Sequence, residues 1–311
     1  MEKKSLRTAY GEALVEMGKT NPDIVVLEAD LGKSTMSCLF KDAYPERYFE
    51  MGIAEQSMAS TAAGLALSGK VPFYSTFAVF AFGRAYDQIR CGIAIPNANV
   101  KICGSSCGFS DFGDGKTHQS IEDANVMRMI PHMIVLNPCD AVETRKMMRA
   151  MAAYDGPVYI RINRNDLPVY TAEEGDYEIG RMSRIVAGAD LVIFATGSMV
   201  WKSVEAAELL KAEGISAEVV NVSTLKPLAK EEILKYVAGK KAIVTAEEAT
   251  KLGGLGSAIA ELLIGEIALP FERVGVDDAF GTSAHSYAEL LETYGLTERH
   301  IAAAAKKALK R

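Results

Sequence analysis

Glu55 is the only carboxylate between Met51 and Tyr86, set in the apolar and small-residue run MGIAEQSMASTAAGLAL. Gly52 permits a tight strand-to-helix turn just before it, which puts Glu55 at the start of a helix expected over residues 54–68. A carboxyl there can be a solvated side chain favoured by the helix dipole. In an apolar pocket that disfavours its charge, it can instead share or donate a proton near neutral pH. Phe77, Phe80 and Phe82 come next, after a short buried strand expected over 71–75, and serve either as core or as walls of such a pocket. Farther on, Asp114 and His118 sit in a Gly-rich polar loop, a setting for binding chemistry that also suits a plain surface histidine. Arg161 and Arg164 stand at the end of the strand expected over 157–162, and a guanidinium fork such as that of Arg164 suits a phosphate. They can equally be solvated or paired with acids such as Glu173 and Glu174.

Other patterns point away from chemistry. Cys103 and Cys107 are the one close cysteine pair, with no His or second pair beside them, which argues against a metal site. Five cysteines, an odd number, fit reduced thiols better than a disulfide framework. Residues 251–257, KLGGLGS, are Gly-rich before a helix. They follow Glu247 and Glu248, whose charges would repel a diphosphate, so this turn reads as architecture.

The elements that must position these residues alternate. Leu6, Tyr10, Ala13, Leu14 and Met17 recur at helical spacing, and 24–27 is an apolar run expected to be a strand buried on both faces. Strands near 48–49 and over 71–75, 100–103, 133–136 and 157–162 are interleaved with helices at 54–68, through 89, around 122–129 and over 141–153. This predicts a mostly parallel sheet with helices on both faces. Residues 165–184 turn polar and acidic, with Pro168 and Gly175, and read as a linker. A second series follows: strands at 190–195, 217–222, 242–246 and 270–274, and helices at 199–212, 230–237, 256–264 and 297–309. The fold class is α/β, with two three-layer units at 1–172 and 185–311.

At 311 residues and 49% hydrophobic content the chain can bury two cores. A net charge of -6 with no basic stripe argues against nucleic acid or an anionic membrane surface as partner. No apolar run has the length of a membrane span and no leader pattern opens the sequence, so a cytoplasmic location is expected.

The run Gly52-Ile53-Ala54-Glu55-Gln56, then Ser75-Thr76-Phe77, then Asp114-Gly115-Lys116-Thr117-His118-Gln119 resembles the pyrimidine-binding half of transketolases. The resemblance covers nearly the whole chain but only the C-terminal part of a full-length transketolase, which implies the small subunit of a split enzyme. It implies thiamine diphosphate as cofactor and transfer of a two-carbon ketol unit between sugar phosphates, in the pentose phosphate pathway. It also implies an N-terminal partner subunit supplying the diphosphate site and the Mg2+ ligands, and a homodimer of this chain within a heterotetramer. No metal ligands are assigned to this chain.

Residue by residue, Glu55 matches the glutamate that hydrogen-bonds the aminopyrimidine ring and promotes its imino form, which removes a proton from the thiazolium carbon. Phe77 and Phe80 match two of three pocket aromatics; the third falls on Gly83, leaving Phe82 or Tyr86 as substitute. Asp30 matches a carboxylate near the cofactor and Ser34 a hydroxyl near the acceptor phosphate. Asp114 and His118 match residues facing sugar hydroxyls, His118 with a catalytic role, while a further family histidine falls on Ser106. Arg164 and Arg7 match arginines that hold the sugar phosphate. Gly113-Asp114-Gly115 with Asn137 mimics a magnesium and diphosphate motif, but Thr117-His118-Gln119 marks it as the sugar loop. The rival readings are a 2-oxoacid dehydrogenase beta subunit, a deoxyxylulose-phosphate synthase-like fragment and a non-catalytic assembly subunit. The loop 114–119 with Arg164 favours a sugar-phosphate enzyme.

Overall fold

The computed structural model describes residues 2–310. Strands Ile24–Glu28, Lys101–Ser105 and Val158–Ile162 are buried at every residue, as strands covered on both faces are. They belong to a seven-stranded sheet ordered Thr224–Lys226, Ile134–Leu136, Val158–Ile162, Lys101–Ser105, Val71–Phe77, Ile24–Glu28, Tyr48–Glu50. Every neighbouring pair is parallel except the first. Helices Leu6–Thr20 and Ala141–Ala153 cover one face, with Tyr10, Leu14, Met147 and Met151 packed against Ile24 and Ile160. Helix Glu55–Leu67 lies on the other, with Met58 and Ala62 in the same cluster as Leu27, Tyr74 and Ile102.

The second sheet runs Phe271–Val276, Ala242–Thr250, Leu191–Ala195, Ala217–Asn221, Ser183–Val186, antiparallel only at the last strand. Helices Met199–Ala212 and Glu298–Leu309 pack on one side of it. On the other, Ile233 and Ile259 meet Val192 and Phe194 in a cluster continuous with the first sheet's core. The expected mostly parallel α/β architecture is what forms.

Two features differ from the expected layout. Asp166–Pro168 opens the polar segment taken as linker, yet it pairs antiparallel with Lys3–Ser5 and buries Leu167 completely. Thr224–Lys226, from the second half of the chain, adds itself antiparallel to Ile134–Leu136 and so completes the first sheet. Three-residue strands are too short to show a period of two. The Gly-rich turn at 251–257 is architecture, as expected: the Glu247 carboxylate accepts from the backbone N–H groups of Leu255 (2.7 Å) and Gly256 (2.9 Å) at the start of helix Leu255–Leu263. A Cβ on Gly254 would lie 1.9 Å from Glu247 Oε2, so only glycine fits.

Glu28 and Glu247 are buried carboxyls raised from 4.5 to about 7, chiefly because burial penalises their charge. Each holds a proton in the folded chain that the unfolded chain releases between these values. Their stabilising contribution is therefore full below the unfolded value and is lost as pH rises through about 7. A shift of this size corresponds to on the order of 3 kcal/mol per group. Glu28→Gln, which cannot ionise, should gain stability relative to wild type as pH is raised from about 5 to about 8, read as the difference in urea midpoint. A difference that does not change with pH would contradict this.

Candidate active site at the carboxyl ends of the parallel strands

Loops that leave the carboxyl ends of parallel strands converge on one edge, where open α/β sheets bind ligands. Glu28 closes its strand with a buried carboxylate that accepts from Thr35 Oγ1 (2.7 Å), Ser37 Oγ (2.5 Å) and the Ala29 N–H (3.1 Å). These bonds fold the following loop back on the strand. Asp30 lies exposed on that loop at φ 60°, its N–H donated to Glu50 Oε1 at 2.8 Å. Glu50 Oε1 also accepts from the Gly52 N–H at 3.1 Å, and Gly52, at φ +67°, makes the expected turn into the Glu55 helix.

Glu55 is the first residue of that helix and is 4% exposed. It borders an open cavity of about 580 Å³ lined by Ile53, Ala54, Glu55, Gln56, Ser57 and Arg84. The expected surroundings were apolar and aromatic. Instead, Arg84 Nη1 donates to Glu55 Oε1 at 3.0 Å, and the same guanidinium lies 4.1 Å from the centroid of Phe80. Phe80 stacks with Phe77 at 6.2 Å, and both meet the His118 ring edge-on, at 5.4 and 6.2 Å. Glu55, Arg84, Phe80, Phe77 and His118 thus form one contiguous wall.

Phe82 is placed elsewhere, among the core residues that include Leu27, Met58 and Ala81, and Tyr86 is exposed. Phe82 is two residues past Phe80 on helix Ala78–Gly83, about 200° around the axis, so the two rings point to opposite sides and cannot share one wall. A Cβ added to Gly83 would meet nothing within 4 Å, so the position that matches the family's third aromatic is open space, and Arg84 is the cation beside it.

A second group gathers around Arg7. Its Nη1 donates to the Ser34 carbonyl at 2.7 Å, while its shielded Nε has no partner. Burial first, and the Arg164 guanidinium second, draw Arg7 below the usual arginine range. Two guanidiniums held this close favour an anion between them. Arg164 Nη1 donates to Asp111 Oδ2 at 2.7 Å. Burial raises the Asp111 carboxyl, opposed by Arg164 and His118, so Asp111 joins the arginine pair to the histidine loop. Asp114 is exposed on the same loop, and His118 Nδ1 pairs with Thr117 Oγ1 at 2.9 Å.

Of the acids foreseen as partners of Arg161 and Arg164, Glu173 pairs with Arg145 instead, whereas Arg161 is bonded to Asp123 and Arg164 to Asp111. Asn137 donates to Thr196 Oγ1 and has no part in the histidine loop. Cys103 and Cys107 are buried thiols, the latter pushed up to about 12 by burial, which disfavours the thiolate a metal would need. Among the described residues no group of three or more His, Cys, Asp or Glu is arranged to hold a metal ion, and no helix is long and apolar enough to cross a membrane.

Sequence reasoning missed Glu28, Glu50, Arg84 and Asp111. Asp111 and Arg84 each stand within a few residues of a residue that was singled out, and their charge in otherwise small or apolar sequence was the available signal.

Residues 2–169 match the transketolase pyrimidine-binding domain and residues 180–301 the transketolase C-terminal domain. The chain belongs to the transketolase family. It is 44% identical to a transketolase C-terminal section of Methanocaldococcus jannaschii over 96% of this chain and 94% of that protein. It is 40% identical to a 6-deoxy-6-sulfo-D-fructose transketolase subunit of Clostridium sp., over 100% of this chain and 96% of that one. Rat transketolase is 36% identical over 98% of this chain, which spans 49% of the rat enzyme. A solved structure described as a split gene transketolase, inactive beta4 tetramer, superposes with a TM-score of 0.91 at 46% identity, covering 99% of both chains.

Family membership implies thiamine diphosphate dependence, and the residues fit its pyrimidine end. A shielded carboxylate bonded to one half-exposed guanidinium faces an open cavity beside two stacked rings.

The arginine pair makes a direct expectation. Loss of hydrogen bonds to a charged group costs roughly 1.5–3 kcal/mol, so Arg7→Ala should weaken binding of inorganic phosphate by about tenfold to a hundredfold in calorimetric titration. Equal affinity in the variant would mean that Arg7 only anchors the Ser34 loop.

Proposed function

We propose that the chain is the C-terminal subunit of a split transketolase, moving a two-carbon ketol unit from a ketose phosphate to an aldose phosphate. The observation that carries this reading is the single sheet edge on which Glu55 with its aromatic wall and the Arg7 and Arg164 pair stand together. An N-terminal partner subunit is assigned the cofactor's diphosphate and the Mg2+ ligands; the beta4 assembly of the 46% identical relative, described as inactive, supports that division. Thiamine diphosphate, when bound, supplies the reactive carbon and the electron sink.

In this reading Glu55 shares a proton with the pyrimidine ring nitrogen while Arg84 fixes its Oε1. Phe77 and Phe80 would line the pyrimidine end of the cofactor and Asp30 would border it from its loop, while Phe82 stays in the core. With His118 Nδ1 engaged by Thr117, its Nε2 faces the substrate, where it exchanges protons with a sugar hydroxyl beside Asp114. Arg7 and Arg164 grip the phosphate near Ser34, and Asp111 aims Arg164. A phosphate clamp of this kind favours sugar phosphates over the 2-oxoacids of the dehydrogenase reading.

The Glu55 helix exposes Ser60, Gly64 and Leu67, with Ile53 exposed just before it, and these small and apolar groups support a homodimer through this face within a heterotetramer. The units are assigned as 1–172 and 185–311, the location as cytoplasmic and the pathway as the pentose phosphate pathway.

Transketolase turnover should appear only when the chain is mixed with an N-terminal partner, thiamine diphosphate and Mg2+. In that complex Glu55→Gln should keep the fold and lower turnover by two to four orders of magnitude, the usual worth of general acid-base work. Turnover by the isolated chain sinks the split reading, and a fully active Glu55→Gln sinks the role of Glu55.

Arg164→Ala should lower kcat/KM for a phosphorylated acceptor by about tenfold to a few hundredfold. An unphosphorylated aldehyde gives Arg164 nothing to hold, so its kcat/KM should barely change. Equal losses on both acceptors would reassign Arg164 to structure.

A further inference from the structure

The loop over residues 108–119 carries Asp111, Asp114 and His118, yet much of what holds it comes from the C-terminal unit. Glu248, at the carboxyl end of the buried part of strand Ala242–Thr250, is 4% exposed and is bonded on both oxygens. Its Oε1 accepts from the Phe109 N–H at 2.6 Å. Its Oε2 accepts from Tyr287 OH (2.6 Å), from Ser198 Oγ, and from Asn163 Nδ2 (3.4 Å). Gly108 precedes the bonded amide at φ +62°, and a Cβ there would lie 2.4 Å from Glu248 Oε1, so the loop is pressed onto this carboxylate.

Three more contacts join the loop to the same unit. The Phe109 ring stacks on Tyr294 with centroids 4.4 Å apart. The Ala284 N–H donates to the Phe112 carbonyl at 2.9 Å. Gln119 Nε2 donates to the Thr282 carbonyl at 2.9 Å and also to the Asp111 carbonyl at 3.3 Å. Asn163, bonded to Glu248, immediately precedes Arg164, and its Oδ1 accepts from the Asn165 N–H at 2.8 Å. The two segments that present Asp111 and Arg164 are thus fixed to one carboxylate of the neighbouring unit.

We infer that the C-terminal unit, through Glu248 and the Tyr294 ring, positions the substrate-facing loop 108–119 and the Arg164 turn, and so sets affinity for the sugar phosphate. The inference rests on the transketolase reading above. Glu248 touches neither substrate nor cofactor in this account; it is a positioning residue. Rigid support of this sort acts on binding geometry, because a loop that samples several positions presents the competent one only part of the time.

Glu248→Gln keeps the shape but puts an N–H2 group where an oxygen accepted from Asn163 and Tyr287. Tyr294→Leu removes the stacked ring from a half-buried site without touching the carboxylate. In the complex with the N-terminal partner, each variant should raise KM for a phosphorylated acceptor by roughly three- to thirtyfold while kcat stays within about twofold. Hydrogen exchange on the same complexes supplies a readout independent of turnover. Amides of residues 107–119 should exchange at least about tenfold faster, with those of strand Val158–Ile162 unchanged. Unchanged loop exchange, faster exchange with KM untouched, or a loss confined to kcat overturns the inference. Should Glu248→Gln fail to fold, Tyr294→Leu decides by the same criteria. A wild-type complex without transketolase turnover refutes the functional reading alone, and loop exchange then decides this inference.

Discussion

Arg161 is 2% exposed at the end of strand Val158–Ile162, and a guanidinium taken out of water must be satisfied where it lies. Asp123 meets it with both oxygens at 2.9 Å and also accepts from Tyr159 OH at 2.6 Å. The same Nη2 that meets Asp123 also donates to the carbonyls of Ser120 and Glu248, each at 3.3 Å. One side chain therefore ties a strand of the first sheet, the helix Asp123–Met129, the end of the histidine loop and a strand of the second sheet. Removing Asp123 alone would leave a buried charge unpaired, which is why these elements have no independent freedom to shift.

The same rule governs the other acids on this edge. Glu28, Glu247 and Glu248 are each buried and each bonded to hydroxyls or backbone N–H groups of the segment they precede or face. Glu55 differs: it is equally shielded, but its bond is to Arg84, whose own side chain is 49% exposed and faces the cavity. A carboxylate with a displaceable partner at a cavity is available for chemistry in a way that the three structural carboxyls are not.

Much of this was legible in the sequence because long apolar runs and helical periodicity are strong signals. Ile24–Glu28 and Val158–Ile162 announce buried parallel strands, and Gly52 before Glu55 announces the turn. What escaped depends on partners distant in sequence. Asp166–Pro168 is a strand only because Lys3–Ser5 lies beside it, and Thr224–Lys226 only because Ile134–Leu136 has a free edge. At the site, the motif residues Glu55, Phe77, Phe80 and His118 do converge. Phe82 does not, since helix geometry turns it into the core. Arg84 and Asp111 stayed hidden because their importance comes from what they touch, not from any spacing.

The central claim is that this chain brings Glu55 to the cofactor and thereby promotes proton loss from the thiazolium carbon. The most direct measurement is the rate of hydrogen–deuterium exchange at that carbon, followed by proton NMR in the N-terminal partner with thiamine diphosphate and Mg2+, before and after addition of this chain. The account predicts that addition accelerates exchange by orders of magnitude. The same slow rate with and without the chain would contradict it and leave a subunit that assembles but does not activate.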